Sequence, residues 1–483
     1  MDDNLKKRTL IALSWSVFEK LGQQGIKFVV SIILARLLMP SDFGLIALVT
    51  MFLLLAQTFV DSGLGSALIQ KKTQTLVDEC TIFYTNIFIG IISAGVIYIS
   101  APYAAVYFNE PLLVELLQVL CVVVVIDAVA NIQLTVATKK IDFKTQFHVS
   151  FIVSILSGFV GIYMAVNGYG VWSLVIMAIN RSVFNLIFLF YLVKWRPHLM
   201  YSLSSLKLLF SFGFKILLST LLDRVFNSLR GIVIAKVYSP IDLGLYGRAK
   251  SLQQLPVDAI LQAVARVTFP VFSQLQEDKV RLKRGVKKAL VSLVFLITPM
   301  MVGLAVTAEN VVLLLLTEKW IQIVQYVQLL CFSGIVFPIN AINLNVLKAL
   351  GRSDLFLKLE IIKKILAGAV LAVTYQYGIL TMISGMIIAS IFSFYLNAYF
   401  NGKLIFYSFG EQLKDCIWIF LVSIIMGYGV YSLHLLEIES LILLLGLQVS
   451  VGALIYILLC YLLRIPILME VIEKIEITKP GRI

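Results

Sequence analysis

Charge is scarce in this chain. Asp, Glu, Lys and Arg supply 14% of its 483 residues, where soluble domains carry about 25%. Hydrophobic residues make up 60%, and the mean hydropathy is +0.95. No soluble core hides that much apolar surface, but lipid does. Metal-ligating and redox residues are thin as well. The five cysteines (Cys80, Cys121, Cys331, Cys416, Cys460) and three histidines (His148, His198, His434) are dispersed, and no Cys-x-x-Cys pair occurs. The cysteines sit in or beside apolar stretches and read as small hydrophobes. Neither a metal site nor a cofactor is expected. There is no Gly-x4-Gly-Lys-Ser/Thr stretch, which argues against a built-in P-loop ATPase. Long polar segments and low-complexity tracts are missing too, so no soluble domain and no extracytoplasmic platform for catalytic groups is expected. The reading is therefore of a non-enzyme with no catalytic residues. The start, Met1 to Arg8, has no small-residue cleavage site after a short apolar region, and the first apolar stretch is expected to be retained.

What fills the chain is apolar run after apolar run. A spanning helix needs about 20 mostly apolar residues. Candidates lie at 10–36, 43–68, 80–103, 112–137, 147–167, 169–193, 207–234, 243–270, 287–308, 321–348, 356–376, 379–401, 415–435 and 440–463. An all-α polytopic membrane protein of about fourteen spans is expected. The formal net charge of +13 would point to nucleic acid in a soluble protein, but its distribution says otherwise. Lys6, Lys7, Arg8, Lys71, Lys72, Lys139, Lys140, Lys144, Lys194, Arg196, the run from Lys279 to Lys288, Lys348, Arg352, Lys403, Lys414, Arg464, Lys474, Lys479 and Arg482 all fall on one side. The alternate loops are poor in basic residues, Lys319 being the clearest exception. Such alternation is the positive-inside pattern, and it places both termini in the cytoplasm. No nucleic-acid partner is expected.

One segment has an echo. Ala35-Arg36-Leu37-Leu38-Met39-Pro40-Ser41-Asp42-Phe43-Gly44-Leu45 matches Ala235-Lys236-Val237-Tyr238-Ser239-Pro240-Ile241-Asp242-Leu243-Gly244-Leu245 at Ala, Pro, Asp, Gly and Leu. Pro and Asp start a turn or cap a helix, and Gly relaxes the backbone. The offset spans six helices, an even number, so both copies keep the same orientation: a parallel repeat about an axis along the membrane normal. The expected organisation is two pseudo-symmetric six-helix lobes, 1–200 and 201–402, followed by an extra helix pair and tail at 403–483. Two matched lobes around a cleft are an alternating-access architecture, which favours a transporter.

Ionisable residues inside spans are costly and usually face a protein interior or a wet cavity. Here they gather in the first two helices of each lobe, with the neutral Gln23 and Gln24 among them: Glu19, Lys20, Lys27 and Arg36; Asp61; Lys215, Asp223, Arg224 and Arg230; Arg248, Lys250, Asp258 and Arg266. Asp127, Asn131, Asn180 and Arg181 are isolated polar positions at membrane depth. Glu19, Gln23 and Lys27 share a helix face, as do Asp223, Asn227 and Arg230. Glu19–Lys20 and Asp223–Arg224 read equally well as ion pairs that hold the bundle together. As a cluster the positions describe a net-basic cavity, suited to an anionic substrate and above all to phosphate, whose oxygens Arg can fork. Candidate substrate contacts are Lys27, Arg36, Arg181, Arg224, Arg230, Arg248, Lys250 and Arg266. Glu19, Asp61, Asp127, Asp223 and Asp258 are candidates for coupling to an ion gradient.

The stretch Asp61-Ser62-Gly63-Leu64-Gly65-Ser66-Ala67-Leu68-Ile69-Gln70 follows the Pro-Ser-Asp-Phe-Gly helix start. With Gly244-Leu245-Tyr246-Gly247-Arg248-Ala249, Phe269-Pro270-Val271-Phe272-Ser273-Gln274-Leu275-Gln276 and Ala349-Leu350-Gly351-Arg352, it resembles the polysaccharide transporter branch of the MOP (MATE-like) superfamily, the Wzx-type O-antigen and capsule flippases. The resemblance covers about residues 5–400. It implies two six-helix bundles in a V shape plus a variable helix pair. It also implies transfer of undecaprenyl-diphosphate-linked oligosaccharide, a repeat unit of O-antigen, capsule or exopolysaccharide, from the cytoplasmic to the periplasmic leaflet of the bacterial inner membrane. The implied partners are that substrate, membrane lipids, H+ or Na+ as coupling ion, and polysaccharide polymerase or assembly proteins. A multidrug antiporter of the same superfamily is the first rival, and the basic excess opposes it, because cationic drugs want acidic cavities. A glycan-processing membrane enzyme is the second.

Overall fold

The computed structural model describes residues 22, 24–71, 73–436 and 438–478, apart from the side chains of residues 259, 262, 263, 265–267, 269, 270, 353, 471 and 474–478. Among the described residues every regular element is a helix. The solvent explains this: hydrocarbon offers a backbone amide no partner, and a helix satisfies its amides within one segment. In chain order the helices are α1 (24–37), α2 (Pro40–Asp61), α3 (Leu64–Gln70), α4 (Leu76–Phe108), α5 (Leu112–Lys139), α6 (Phe143–Val166), α7 (Val171–Val193), α8 (Leu203–Val233), α9 (Pro240–Gln274), α10 (Lys279–Val306), α11 (Ala308–Leu315), α12 (Ile323–Ala349), α13 (Ser353–Thr374), α14 (Ile379–Ile405), α15 (Phe409–Ser432), α16 (Leu441–Leu462) and α17 (Pro466–Thr478).

Eleven stretches among the described residues are long and apolar enough to cross a bilayer: α2 with α3, then α4, α5, α6, α7, α8 with the turn that follows it, α10, α12, α14, α15 with its following turn, and α16. The chain is a multi-pass membrane protein. Fourteen spans were expected, and the other three have separate reasons. The first expected span, 10–36, lies largely outside the described residues. Helices α9 and α13 run for 35 and 22 residues, enough to cross at 1.5 Å per residue; α13 is too charged to pass on composition, and α9 includes side chains outside the described residues. Helix α9 carries Arg248, Lys250, Asp258 and Arg266, and α13 carries Lys358, Glu360, Lys363 and Lys364.

The chain divides into two compact units, Met1–Gly244 and Leu245–Ile483. In the first, α4 packs along α5, α5 along α7, and α6 along α7, while α2 touches α4, α5 and α8. In the second, α10 packs on α12 and α15, α12 on α14, and α15 on α16. Polar side chains link the second unit from within. Asn401 donates to Asn343 Oδ1 at 2.5 Å, and the amides of Asn343 and Gln412 exchange hydrogen bonds at 2.9 and 3.1 Å. Between apolar helices in lipid such amide contacts are a main source of attachment.

In the first unit the connection from α7 to α8 is fastened to the start of α4. Trp195 Nε1 donates to Glu79 Oε2 at 2.6 Å, Gln133 Nε2 donates to the Trp195 carbonyl at 2.9 Å, and the Ser202 amide donates to Thr81 Oγ1 at 3.1 Å. The Trp195 ring meets Phe83 edge-on with centroids 5.5 Å apart.

Both copies of the Pro-x-Asp-x-Gly echo begin a helix, with Pro40 opening α2 and Pro240 opening α9. Pro fits a first turn, where its missing N–H is unneeded. Asp42 then caps by accepting from the Met39 amide at 3.0 Å, and Ser239 Oγ accepts from the Asp242 amide at 3.1 Å.

One expectation needs correction. The second expected span, 43–68, is not a single helix. It breaks at Ser62 and Gly63, whose φ angles of 38° and 69° are left-handed, and resumes as the short α3. Gly63 is needed there twice over. Its φ suits glycine, and a Cβ on it would collide with the Gly213 carbonyl of α8. The Asp-Ser-Gly-Leu-Gly stretch is thus a break inside a spanning segment, pressed onto α8.

Candidate functional site

The break is where the polar chemistry of the first unit collects. Helix α2 carries Gln57 and Asp61 four residues apart, and α5 carries Asp127 and Asn131 four residues apart, so each pair shares a helix face. The two faces meet rung to rung. Gln57 Nε2 donates to Asp127 Oδ2 at 2.8 Å, and Asn131 Nδ2 donates to Asp61 Oδ1 at 2.6 Å. From α4, Asn86 Nδ2 reaches Asn131 Oδ1 at 3.3 Å. A cavity of about 280 Å³ opens beside the lower rung. Its walls include Thr58, Asp61, Ser66, Asn131, Thr135 and Thr220, the last from α8. Gly65 helps to keep it open, because a Cβ there would lie 3.0 Å from Thr135 Oγ1.

Cationic side chains border this network. Arg224 of α8 lies within electrostatic reach of Asp61. It follows Thr220 by one turn, on the same side of the helix. Arg181 of α7 lies within reach of Asp127, which also takes a hydrogen bond from Ser182. Lys27 of α1 is exposed and within reach of Arg181. Arg181 and Arg224 are both exposed although each sits in an apolar spanning helix. Helix α8 is the barest of the eleven stretches among the described residues. Only 11% of its most apolar stretch is buried, against 22–44% in the other ten. Phe210, Phe214, Leu218 and Leu222 are open on it, and so are Lys215, Asp223, Arg224 and Asn227. A helix exposed through both apolar and charged residues fits lipid on one side and water on the other.

The remaining candidates fall as follows. Arg36 ends α1 and is exposed; Arg230 is half-buried near the end of α8. In the second unit, the guanidinium of Arg248 sits over the Trp320 ring at 5.6 Å, and Trp320 is fully buried. Lys250 and Asp258 lie on α9 within reach of each other. Glu19 lies outside the described residues, as do Lys20, Gln23 and the side chain of Arg266. The structure thus gathers Lys27, Asp61, Asp127, Arg181 and Arg224 in the first unit, and Arg248, Lys250 and Asp258 along α9. Sequence reasoning missed Gln57, Thr58, Asn86 and Thr135. A usable signal was present for Gln57, four residues before Asp61 and 70 before Asp127, the same separation as Asp61 from Asn131. The five cysteines are all buried and unpaired by disulfides, in keeping with their reading as hydrophobes.

The family described as polysaccharide biosynthesis protein matches residues 33–325. The succinoglycan biosynthesis transport protein ExoT of Rhizobium meliloti is 26% identical over 327 residues, 68% of this chain and 66% of that protein. The lipopolysaccharide biosynthesis protein WzxC of Escherichia coli is 25% identical over 369 residues, 75% of this chain and 74% of that protein. Among solved structures, the lipid II flippase MurJ in an inward closed conformation superposes with a TM-score of 0.73, covering 94% of this chain and 98% of MurJ at 15% identity. An inward-facing multidrug resistance MATE family transporter of the MOP superfamily gives 0.61 at 16% identity, covering 79% of this chain and 95% of the transporter. The fold is therefore of the MurJ and MATE type.

Proposed function

The chain belongs to the polysaccharide biosynthesis protein family, a polysaccharide flippase branch of the MOP superfamily, and from that premise we propose that it moves an undecaprenyl-diphosphate-linked oligosaccharide across the bacterial inner membrane. The observation that carries the reading is the pair of exposed arginines, Arg181 and Arg224, at membrane depth in apolar helices. A guanidinium kept open inside a span calls for an anion, and a lipid diphosphate supplies one at that depth. Lys27 and Arg36 would add contacts in the first unit. Arg230, Arg248, Lys250 and Arg266 are proposed to follow the same anion through the cycle. The oligosaccharide would pass through the polar interior while the lipid tail stays in the bilayer.

Alternating access by two six-helix lobes, 1–200 and 201–402, with the helices of 403–483 as an addition, is the proposed motion. Both termini would be cytoplasmic, given the one-sided loop charge. The proposal includes no catalytic step. Coupling to H+ or Na+ is part of it, with Asp61, Asp127, Asp223, Asp258 and Glu19 as the acidic groups available. A glycan polymerase or other assembly proteins would take up the product.

Deletion in the native host tests the reading. The expected result is loss of one surface polysaccharide with build-up of its lipid-linked unit, restored by the wild-type chain. Unchanged surface glycan, with altered resistance to cationic drugs instead, would transfer the protein to the multidrug exporters.

A further inference from the structure

We propose that the cavity at the α2–α3 break holds one sugar ring, the sugar joined directly to the lipid diphosphate, and that Asp61 accepts hydrogen bonds from its hydroxyls. The proposal deepens the flippase reading and rests on it for the identity of the ligand.

The wall of the cavity has the chemistry of a sugar site. It carries one carboxylate (Asp61), one amide (Asn131) and the hydroxyls of Thr58, Ser66, Thr135, Thr138 and Thr220. Aliphatic side chains complete it, among them Ile216 and Leu217 of α8. A diphosphate asks for cations, and no described Lys or Arg lines the wall. A hydrocarbon chain asks for an apolar wall, and here burying so many polar groups against it would be costly. A sugar has a rim of hydroxyls and a face of C–H groups, and this wall answers both.

The hydrogen-bonding roles divide in the same way. Thr58 Oγ1 donates to the Leu54 carbonyl at 2.8 Å, and Thr135 Oγ1 to the Asn131 carbonyl at 3.1 Å. With their protons used on the helix backbone, these oxygens are left as acceptors. Asp61 Oδ1 takes the Asn131 amide at 2.6 Å, and Oδ2 has no hydrogen-bond partner among the described residues. The hydroxyls of Ser66 and Thr220 make no hydrogen bond among the described residues and are able to donate or accept. A sugar hydroxyl is donor and acceptor at once. Neighbouring hydroxyls donating to one carboxylate make charge-assisted bonds, about twice as strong as neutral ones.

Size and position select which sugar. The cavity of about 280 Å³ equals about nine waters at about 30 Å³ each, which accommodates one sugar ring and not two. The Gly63–Gly213 contact seats α8 against the break. From Gly213 the helix runs on to Ile216, Leu217 and Thr220, which close the cavity. Arg224 follows Thr220 by four residues, about 6 Å along the helix, and lies within electrostatic reach of Asp61. A diphosphate held by Arg224 therefore places its own sugar, and no later one, in the cavity. The cavity then reads that sugar's hydroxyl pattern. A sugar without the hydroxyl that faces Asp61 leaves a charged acceptor unpaired and is penalised for it.

The test compares two lipids for binding to the purified full chain in lipid nanodiscs: undecaprenyl diphosphate, and the lipid-linked unit extracted from the deletion host. The unit should bind at least about tenfold more tightly. Asp61→Asn should remove that difference, while the bare diphosphate binds as well or better, because Asp61 no longer competes for Arg224. Thr220→Val, at an exposed position of α8, should reduce the difference by about threefold or more, and it serves if Asp61→Asn folds poorly. The exposed Asp354→Asn should leave both affinities unchanged. Equal affinity of the wild-type chain for the two lipids, or a difference untouched by Asp61→Asn in a folded chain, would overturn the sugar site and leave the flippase reading standing. Binding of neither lipid by a folded chain would overturn the flippase reading and the sugar site with it.

Discussion

Gly44 and Gly244, 200 residues apart in the chain, lie backbone against backbone at the starts of α2 and α9. A Cβ on Gly244 would lie 2.8 Å from the Gly44 nitrogen and 3.2 Å from its Cα, and a Cβ on Gly44 would collide with the Pro240 carbonyl. The echo read from sequence is therefore also a contact: the two copies of Pro-x-Asp-x-Gly meet each other through their glycines.

Backbone cannot step aside as a flexible side chain can. Gly44→Ala and Gly244→Ala should each destabilise by about 1–3 kcal/mol, the usual range for overpacking. Gly247→Ala, where nothing lies within 4 Å of an added Cβ, should be neutral or stabilising by up to about 1 kcal/mol through helix propensity. The order of three melting temperatures in detergent checks both signs.

Trp195 and Glu79 form a buried hydrogen bond that holds the α7–α8 connection. Trp195→Phe keeps a ring against Phe83 but removes the donor. The expected loss is about 1–3 kcal/mol, because a buried acceptor is left without that partner. Adding Glu79→Leu should return part of it, since replacing both partners with apolar groups removes the unmet demand. Thermal unfolding of the single and double variants reads the difference.

All five cysteines are buried, none more than 7% exposed. Thiol reagents should therefore leave the folded protein almost unlabelled and react with all five on heating. The labelling transition should coincide with the unfolding seen by a spectroscopic probe.

Arg181→Ala and Arg224→Ala should each lower transport by about tenfold or more at normal expression and stability, a loss of about 1.4 kcal/mol or more in a charge-assisted contact. Lys at either place keeps the charge without the planar fork, so Arg224→Lys should fall between Ala and wild type. Surface polysaccharide per cell, normalised to protein in the membrane, is the readout.

The apolar runs announced the fold because hydropathy alone separates a lipid-facing helix from a soluble one. The break at Ser62–Gly63 stayed hidden for the same reason. Serine and glycine sit unremarked in an apolar run, and only the close approach of Gly213 shows why the helix stops. Helices α9 and α13 were legible by length, as the candidate stretches 243–270 and 356–376, in spite of the charges they carry. At the site, Asp61, Asp127, Arg181 and Arg224 were visible because charge in a span is rare. Gln57, Asn86 and Thr135 were not, because neutral polar side chains inside spans often bond only their own helix, as Thr85 does to the Thr81 carbonyl. Their partners lie on other helices, and pairings such as Asp61 with Asn131 become readable once α2 and α5 are seen side by side.

The most direct measurement is transbilayer movement in liposomes that hold the purified chain and an undecaprenyl-diphosphate-linked oligosaccharide confined to one leaflet, followed with an impermeant sugar-specific probe. The account predicts movement well above that of protein-free liposomes and a fall of at least about tenfold when Arg181 and Arg224 are both replaced by Ala. Movement no faster than in protein-free liposomes, from a folded chain given its host's own glycan lipid, would contradict it.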